Sequence, residues 1–116
     1  MPMNDVTMTA IHAALSGLAA RQRTVADNIA NVETPGFLAR KVDFERSLQG
    51  AIDAGRPAAT RVSTTLSAEA TTANGNNVKI DDETLAMIDT NLRYQAMTEA
   101  MNGKFRVLRA SIRGGF

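Results

Sequence analysis

Apolar side chains recur in steps of three and four residues at both ends of this chain, where they form two stripes. The N-terminal stripe consists of Met8, Ile11, Leu15, Leu18, Gln22, Val25, Ile29 and Val32, and the C-terminal stripe of Met87, Asn91, Tyr94, Thr98, Met101, Phe105, Leu108 and Ile112. Such spacing is typical of the contact line of a coiled coil. The sequence therefore predicts a mainly all-α fold, an antiparallel two-helix coiled coil of the N- and C-terminal helices. Helix surfaces of this kind indicate assembly rather than a catalytic pocket.

The helix boundaries follow from the stripes and from the residues that flank them. We expect one domain over residues 1–116, with an N-terminal helix at 5–32, a central loop region at 33–80 and a C-terminal helix at 81–113. Acidic residues at the start of the second helix and basic residues towards its end both suit the helix dipole.

The positions of the polar residues in the two stripes predict how the helices align. Placing Val32 opposite Met87 puts Gln22 opposite Thr98 and Leu15 opposite Phe105. Gln22, the polar residue of the N-terminal stripe, then faces a polar residue of the C-terminal stripe. A buried polar pair of this kind can fix the register of a coiled coil at some cost in stability.

The central region contains turn signals and short segments of regular structure. Pro35 and Gly36 stand second and third in Thr34–Phe37, which is suited to a type II turn. Residues 37–42 are expected to be extended, and residues 60–67 have strand character. Asn74-Gly75 could turn a small β-hairpin.

A short helix is predicted between these segments. Asp43 can cap it, since an aspartate oxygen accepts from the exposed backbone N–H groups of a helix start. Phe44, Leu48 and Ile52 follow four residues apart and therefore share one face.

Composition excludes several classes of function. A formal charge of +1 gives no support for a nucleic-acid partner, and the absence of cysteine excludes a disulfide scaffold and thiolate metal sites. The sequence contains no run of 18 apolar residues, so we expect no direct membrane insertion. The N-terminus lacks the features of a cleaved signal peptide. We expect no cofactor and no metal.

Three groups of residues are candidates for a binding or catalytic site. His12 has no second histidine or cysteine to converge with, and the acids at 81–83 are explained by the helix start. Arg106, Arg109 and Arg113 share a helix face but lack stacking aromatics, so a solvated or inter-subunit face is preferred to a nucleic-acid site. Gly103 within the second helix suggests close approach by a neighbouring helix.

The string around the end of the first helix is the most specific in the chain. Asn28-Ile29-Ala30-Asn31 followed by Thr34-Pro35-Gly36-Phe37 resembles the signature of the bacterial flagellar axial proteins, the rod and hook family. Ala39-Arg40 and Val42-Asp43-Phe44 extend the likeness, as do Tyr94-Gln95-Ala96 and Asn102-Gly103-Lys104-Phe105 near the other end.

The resemblance implies a structural subunit of the basal-body rod, a hollow drive shaft that transmits torque and conducts export substrates. Its partners would be copies of itself, other flagellar rod subunits, the ring-to-rod adaptor and inner-membrane ring proteins. It would reach the periplasmic space through the flagellar type III apparatus without cleavage of a signal peptide. The terminal stripes would form the assembly seam, and neighbouring subunits would be locked by the motif residues Asn28, Asn31, Thr34, Pro35, Gly36, Phe37, Arg40, Val42 and Phe44.

Other readings remain open from the sequence. The chain could be another rod subunit of the same family, or a small helical export chaperone or adaptor that stays in the cytoplasm. A nucleic-acid-binding hairpin would predict salt-dependent binding through the arginines near the C-terminus. An enzyme is the reading with the least support, because the sequence offers no nucleophile with a base and no spacing of metal ligands.

Overall fold

Two long antiparallel helices pack against each other, and the short elements of the central region pack along the first of them. The computed structural model describes residues 2–114, with side chains from residue 6 onwards. The elements in chain order are α1 (Pro2–Ala30), β1 (Arg40–Asp43), α2 (Glu45–Asp53), a 3₁₀ turn (Pro57–Ala59), β2 (Ser63–Leu66) and α3 (Ile80–Ile112). The Cα atoms span 65 × 26 × 14 Å. The predicted fold class is confirmed: a mainly helical chain whose terminal helices pack together around a central region with one short helix and a two-stranded sheet.

The predicted register between the long helices is wrong by one heptad. Gln22 donates from Nε2 to Oδ1 of Asn91 at 2.7 Å, and Asn28 donates from Nδ2 to Oε1 of Glu83 at 2.8 Å. Asn91 precedes Thr98 by seven residues, which is about 10 Å along a helix axis. Gln22 therefore lies two helical turns away from the partner that the stripes alone suggested.

The physical reason is that a heptad pattern repeats itself when it is shifted by seven residues. Asn91 and Thr98 are both polar members of the C-terminal stripe, so each satisfies Gln22. The choice between them is made at the other end of α1, where Asn28 bonds both β1 and α3.

In the shifted register Phe105 lies level with about residue 8 of α1, and the last turn of α3 reaches the start of that helix. Phe105 is 45% exposed and Ile112 is 84% exposed, although both belong to the C-terminal stripe. Gly103, expected to meet a neighbouring helix, would bring a Cβ near nothing closer than the Arg106 guanidinium at 3.7 Å. Among the described residues, no other helix comes within 4 Å of that Cβ position.

The two strands form an antiparallel sheet in which Arg40 pairs with Leu66 and Asp43 with Ser63. The chain between the strands contains α2 and the 3₁₀ turn, so the expected hairpin turn at Asn74-Gly75 is wrong. That dipeptide makes a separate turn after β2. The expected cap of α2 is also displaced, because Phe44 occupies the N-cap position and Asp43 ends β1.

The core lies where α1, the sheet and α3 meet. Leu18, Val42 and Phe44 are buried there, and partly buried side chains complete the cluster: Ala20, Leu48, Tyr94 and Met97. α2 and the 3₁₀ turn also pack against α1, and the turn comes close to Val6 and Thr9 near the start of that helix.

Thr90 is the one residue of α3 that is fully buried, and its hydroxyl Oγ1 has no hydrogen-bond partner in the part of the chain that the structure describes. Thr90→Val keeps the shape and removes this unpaired group. We expect the free energy of unfolding to rise by about 1 kcal/mol, measured by urea denaturation. Thr98→Val is the matched control, because Thr98 is exposed and its hydroxyl donates to the carbonyl of Tyr94. A loss of stability in Thr90→Val would contradict the unpaired hydroxyl.

Candidate assembly surfaces and the interactions that support them

A clamp around Arg21 fixes the sheet to α1. The Arg21 guanidinium donates to both carboxylate oxygens of Glu45 at 2.5 and 2.7 Å, and to the carbonyl oxygen of Val42 at 2.7 Å. It also lies 4.9 Å from the centroid of the Phe44 ring, within range for a cation–π interaction. One side chain of α1 thus holds β1, the start of α2 and the aromatic core residue.

Gly17 lies one turn before Arg21 and makes room for the same ring. A Cβ at this position would stand 2.5–2.6 Å from three ring atoms of Phe44, closer than real Cβ contacts. Because Phe44 is itself buried with Leu18 and Val42, the ring has little space to withdraw. The glycine that the sequence shows inside α1 is therefore the point where sheet and helix come closest.

The clamp sets the charge state of Glu45. The hydrogen bonds from Arg21 lower the pKa of Glu45 from 4.5 to about 2, against a smaller opposing effect of burial. The same bonds raise the pKa of Arg21. Since the pKa of Glu45 is lower in the folded chain, its stabilising contribution is complete above about pH 4.5 and is lost as the pH falls towards 2.

We therefore expect Glu45→Gln to reduce the acid sensitivity of the fold. The wild-type chain should lose stability between pH 4.5 and 2, and the variant should lose less over that interval. The difference should be about 1 kcal/mol or less, because the carboxylate is half exposed and screened. Thermal melting at pH 3 and pH 6 measures it, with the exposed Glu33→Gln as control. Parallel pH profiles for wild type and Glu45→Gln would contradict the role of the clamp.

Asn28, the first residue of the motif, closes the free edge of β1. Its amide donates from Nδ2 to the Arg40 carbonyl at 2.9 Å and accepts at Oδ1 from the Arg40 backbone N–H at 3.0 Å. With the bond to Glu83, one buried amide joins α1, β1 and α3. Backbone groups that would otherwise be unpaired at a sheet edge are thereby satisfied.

Asn28→Ala should destabilise the fold by about 1–3 kcal/mol, since it leaves partly buried backbone groups of Arg40 and the Glu83 carboxylate without this partner. Asn31→Ala, in the same motif, is the matched control. Among the described residues, the Asn31 side chain bonds only nearby groups, the Asp27 carbonyl and the Thr34 hydroxyl. Its loss should cost below about 1 kcal/mol. Equal effects in urea denaturation would contradict the special position of Asn28.

The turn after α1 is held by a second loop. Phe37 donates its N–H to the Thr34 carbonyl at 3.2 Å and Gly36 has φ +74°, as expected for the type II turn. Gly36 in turn donates its N–H to the carbonyl of Asn74 at 2.9 Å. The backbones of Gly36 and Gly75 lie so close together that a Cβ added to Gly75 would be 3.3 Å from the Cα of Gly36. The two loops therefore form one compact end of the molecule.

Asn76 and Asn77 connect separate loops through hydrogen bonds, a role that the sequence pattern did not indicate. Both are buried. Asn76 donates to the carbonyls of Asn31 and Thr34, at 2.9 and 2.8 Å. Asn77 accepts from the Ala39 N–H at 2.7 Å and donates to the carbonyls of Ser67 and Glu69. The signal available in the sequence was two adjacent amides after Asn74-Gly75, in a segment otherwise rich in threonine and alanine.

The predicted motif residues separate into an inner and an outer set. The inner set is buried within the chain and consists of Asn28, Val42 and Phe44. The outer set is Asn31, Thr34, Pro35, Gly36, Phe37 and Arg40, all exposed or half-buried. The Arg40 guanidinium lies 5.7 Å from the Phe37 ring centroid and 4.0 Å from the Asp27 carboxylate. The outer set is thus a polar loop surface with one aromatic side chain.

The predicted stripes also differ in burial. The N-terminal stripe faces inwards along its length, with Ile11, Leu18 and Val25 buried and the other members half-buried: Met8, Leu15, Gln22, Ile29 and Val32. In the C-terminal stripe, half-buried residues are Met87, Tyr94, Met101 and Leu108, and exposed ones are Asn91, Thr98, Phe105 and Ile112. The structure brings the two stripes together in the shifted register.

The opposite side of α3 exposes a row of large apolar side chains. Leu85, Ile88 and Leu92 are 66%, 53% and 61% exposed. Their spacing of three and four residues places them on one face, pointing away from α1. We call these three residues the α3 outer stripe. Contiguous apolar surface of this kind marks a protein–protein contact.

The other candidates from the sequence stay apart. His12 is exposed on α1, and Arg106 pairs with Glu99 at 3.2 Å. Among the described residues, no group of histidines and acids is arranged to hold a metal ion, and no helix there is long and apolar enough to cross a membrane. A groove of about 520 Å³ lies between the sheet and α3, but Glu69 and Lys79 at its edge already pair with each other at 2.9 Å.

These features define a structural, helix-packing subunit, and comparison with known proteins gives its family. A sequence profile described as "Flagella basal body rod protein" matches residues 11–37. The chain is 32% identical to the flagellar basal body rod protein FlgB of Bacillus subtilis, over 99% of both chains. It is 31% identical to FlgB of Escherichia coli, over 88% of this chain and 89% of the relative.

The chain belongs to the FlgB family of flagellar basal body rod proteins. It is a structural subunit of the basal-body rod, in a family of structural proteins, and it assembles with other components of the rod. The matched region contains Gly17, Arg21 and Asn28, so the family signature covers the residues that dock the sheet onto α1.

Proposed function

We propose that this subunit builds the proximal rod by packing its two-helix hairpin side by side with its neighbours. The hairpin forms the inner layer of a hollow tube, which transmits torque and lets export substrates pass. The α3 outer stripe and the outer set of motif residues supply the contacts between subunits. The exposure of Leu85, Ile88 and Leu92 is the observation that carries this proposal, because a hairpin with one uncovered apolar face needs a neighbour.

The finer partners and the location follow from the family resemblance. We propose that the subunit contacts the inner-membrane ring and the ring-to-rod adaptor as well as other rod subunits and copies of itself. It would reach the periplasmic space through the flagellar type III apparatus without cleavage of a signal peptide.

Fractionation of basal bodies tests the proposal. A small tag should be inserted after Ala70, in an exposed part of the loop, because Asn76 and Asn77 next to Gly75 are buried. The tagged chain should restore swimming to a strain that lacks the native gene and should be recovered in purified basal bodies, cross-linked to ring components. Cross-linking to the distal rod instead would indicate a sibling rod subunit. A soluble one-to-one cytoplasmic complex would indicate a chaperone or adaptor and would contradict the proposal.

A further inference from the structure

The α3 outer stripe has a matching surface on the other side of the same molecule. We propose that it packs against the outward face of α1 in a second copy of this chain, an assignment that rests on the proposed function and names the partner of its exposed stripe. We call that face of α1 the α1 outer stripe, formed by Ser16, Ala19, Arg23, Ala26 and Ala30. The two stripes point in opposite directions, since each faces away from the contact between α1 and α3.

The first argument is shape. The α1 outer stripe follows the three- and four-residue spacing of a single helix face, and all of its members except the half-buried Ala19 are exposed. Apart from Arg23 its side chains are small, so the axis of a second helix can approach closely. Leu85, Ile88 and Leu92 are large. Bulky residues on one helix and small residues on the other allow the interdigitation that close helix packing requires.

The second argument is height along the molecule. Gln22 lies level with Asn91 and Asn28 with Glu83, so the α3 outer stripe lies level with residues of α1 from about 20 to 28. Most of the α1 outer stripe falls in or beside that interval. A neighbour standing beside the first copy in the same orientation therefore presents small residues at the height where the first presents large apolar side chains. The pairing needs an axial offset of no more than about one turn, or 5 Å.

The third argument is charge. Arg23 is exposed, and no hydrogen bond or ion pair is found for it in the described part of the chain. At the same height on α3 stands Asp89, whose exposed pair with Arg93 at 2.9 Å leaves room for a second cation. A symmetric pairing of two α3 stripes would instead bring two copies of Asp89 together, and like charges oppose such contact.

The resulting arrangement places copies side by side, with two different faces of the chain in each contact. Each copy uses its α3 face on one neighbour and its α1 face on the other, which is a heterologous interface. Such an interface repeats until it closes as a ring or continues as a helix. The same two surfaces can therefore build a tube without a third binding site.

Cysteine cross-linking tests the pairing, because the natural chain contains no cysteine. Ala26→Cys and Leu85→Cys are made in separate full-length copies that carry tags of different size, then purified, mixed at high concentration and oxidised. The proposal predicts a disulfide between the two different copies, since the Cα atoms would approach to within about 7 Å. A single chain carrying both substitutions should give a ladder of dimers, trimers and larger products.

Glu99→Cys is the matched control for height. Glu99 shares the outward face of α3 with Leu85 but lies fourteen residues further along, about 21 Å away. It should not cross-link to Ala26→Cys. Three results would overturn the pairing. They are a disulfide between two Leu85→Cys copies, a Glu99→Cys product as abundant as the Leu85→Cys product, and the absence of any product after oxidation of chains that are helical by circular dichroism. Recovery of the tagged wild-type chain in basal bodies tests the proposed function separately, so either can fail without the other.

Discussion

Gly17→Ala is expected to destabilise the isolated chain by about 1–3 kcal/mol, against the usual direction of a glycine-to-alanine change in a helix. The added methyl would overlap the Phe44 ring, with 2.5–2.6 Å between the new Cβ and three ring atoms. To relieve the overlap the ring must leave the core, and the bonds of Arg21 to Val42 and Glu45 would be strained with it. Urea denaturation followed by circular dichroism measures the loss.

Gly50→Ala is the matched control for this prediction. Gly50 is inside α2, and a Cβ there meets nothing within 4 Å. Alanine should therefore stabilise the chain by about 0.5–1 kcal/mol through the backbone entropy alone. Two substitutions of identical chemistry are thus expected to have opposite signs. A Gly17→Ala chain as stable as the wild type would show that the sheet does not dock on α1 as described.

Leu92→Asp is expected to abolish swimming while leaving the isolated chain folded. Leu92 is 61% exposed in the single chain, so its replacement should change the free energy of unfolding by less than about 0.5 kcal/mol. In a rod, the same side chain would be covered by a neighbour. Each contact would lose roughly 1.5–3 kcal/mol of apolar burial. Each contact would also bury a desolvated carboxylate. The resulting loss of free energy of association occurs at every subunit of the rod.

Leu66→Asp supplies the comparison, because Leu66 is 59% exposed but lies on β2 and does not belong to the α3 outer stripe. It should retain swimming and recovery in basal bodies. Soft-agar motility and basal-body fractionation are the readouts, with circular dichroism to establish that both variants are helical. Equal motility of the two variants would contradict the assignment of the α3 outer stripe to assembly.

Local patterns in the sequence were sufficient for the main elements. The heptad spacing placed α1 and α3 to within three residues at each end, and Pro35-Gly36 placed the turn after α1. These features depend on periodicity and on backbone preferences of single residues, both of which can be read without knowing the tertiary contacts. The short helix α2 and the strand β2 were found for the same reason.

The register could not be obtained in this way. Heptad stripes fit equally well after a shift of one repeat, and Asn91 and Thr98 are equivalent polar partners by pattern alone. The bonds that select the native register involve Asn28, Arg40 and Glu83, three residues from three different elements. Such long-range polar contacts leave no periodic signal.

The interior of the docking site was equally hidden. A glycine such as Gly17 has low helix propensity by itself, and only the position of Phe44 shows that its missing side chain makes space. The roles of Asn76 and Asn77 depend on carbonyl groups of distant loops. The motif itself, by contrast, was sufficient for the family, because the residues around Asn28 and the following turn form a distinctive string.

The solvent accessibility of the α3 outer stripe, before and after assembly, tests the central claim most directly. A Leu85→Cys chain should react rapidly with a maleimide reagent when purified, and should be protected in isolated basal bodies. Gln49→Cys, on the exposed side of α2, provides the reference for reagent access. The account predicts that position 85 loses its reactivity relative to position 49 on assembly. Equal labelling of position 85 in the free chain and in the basal body would contradict it.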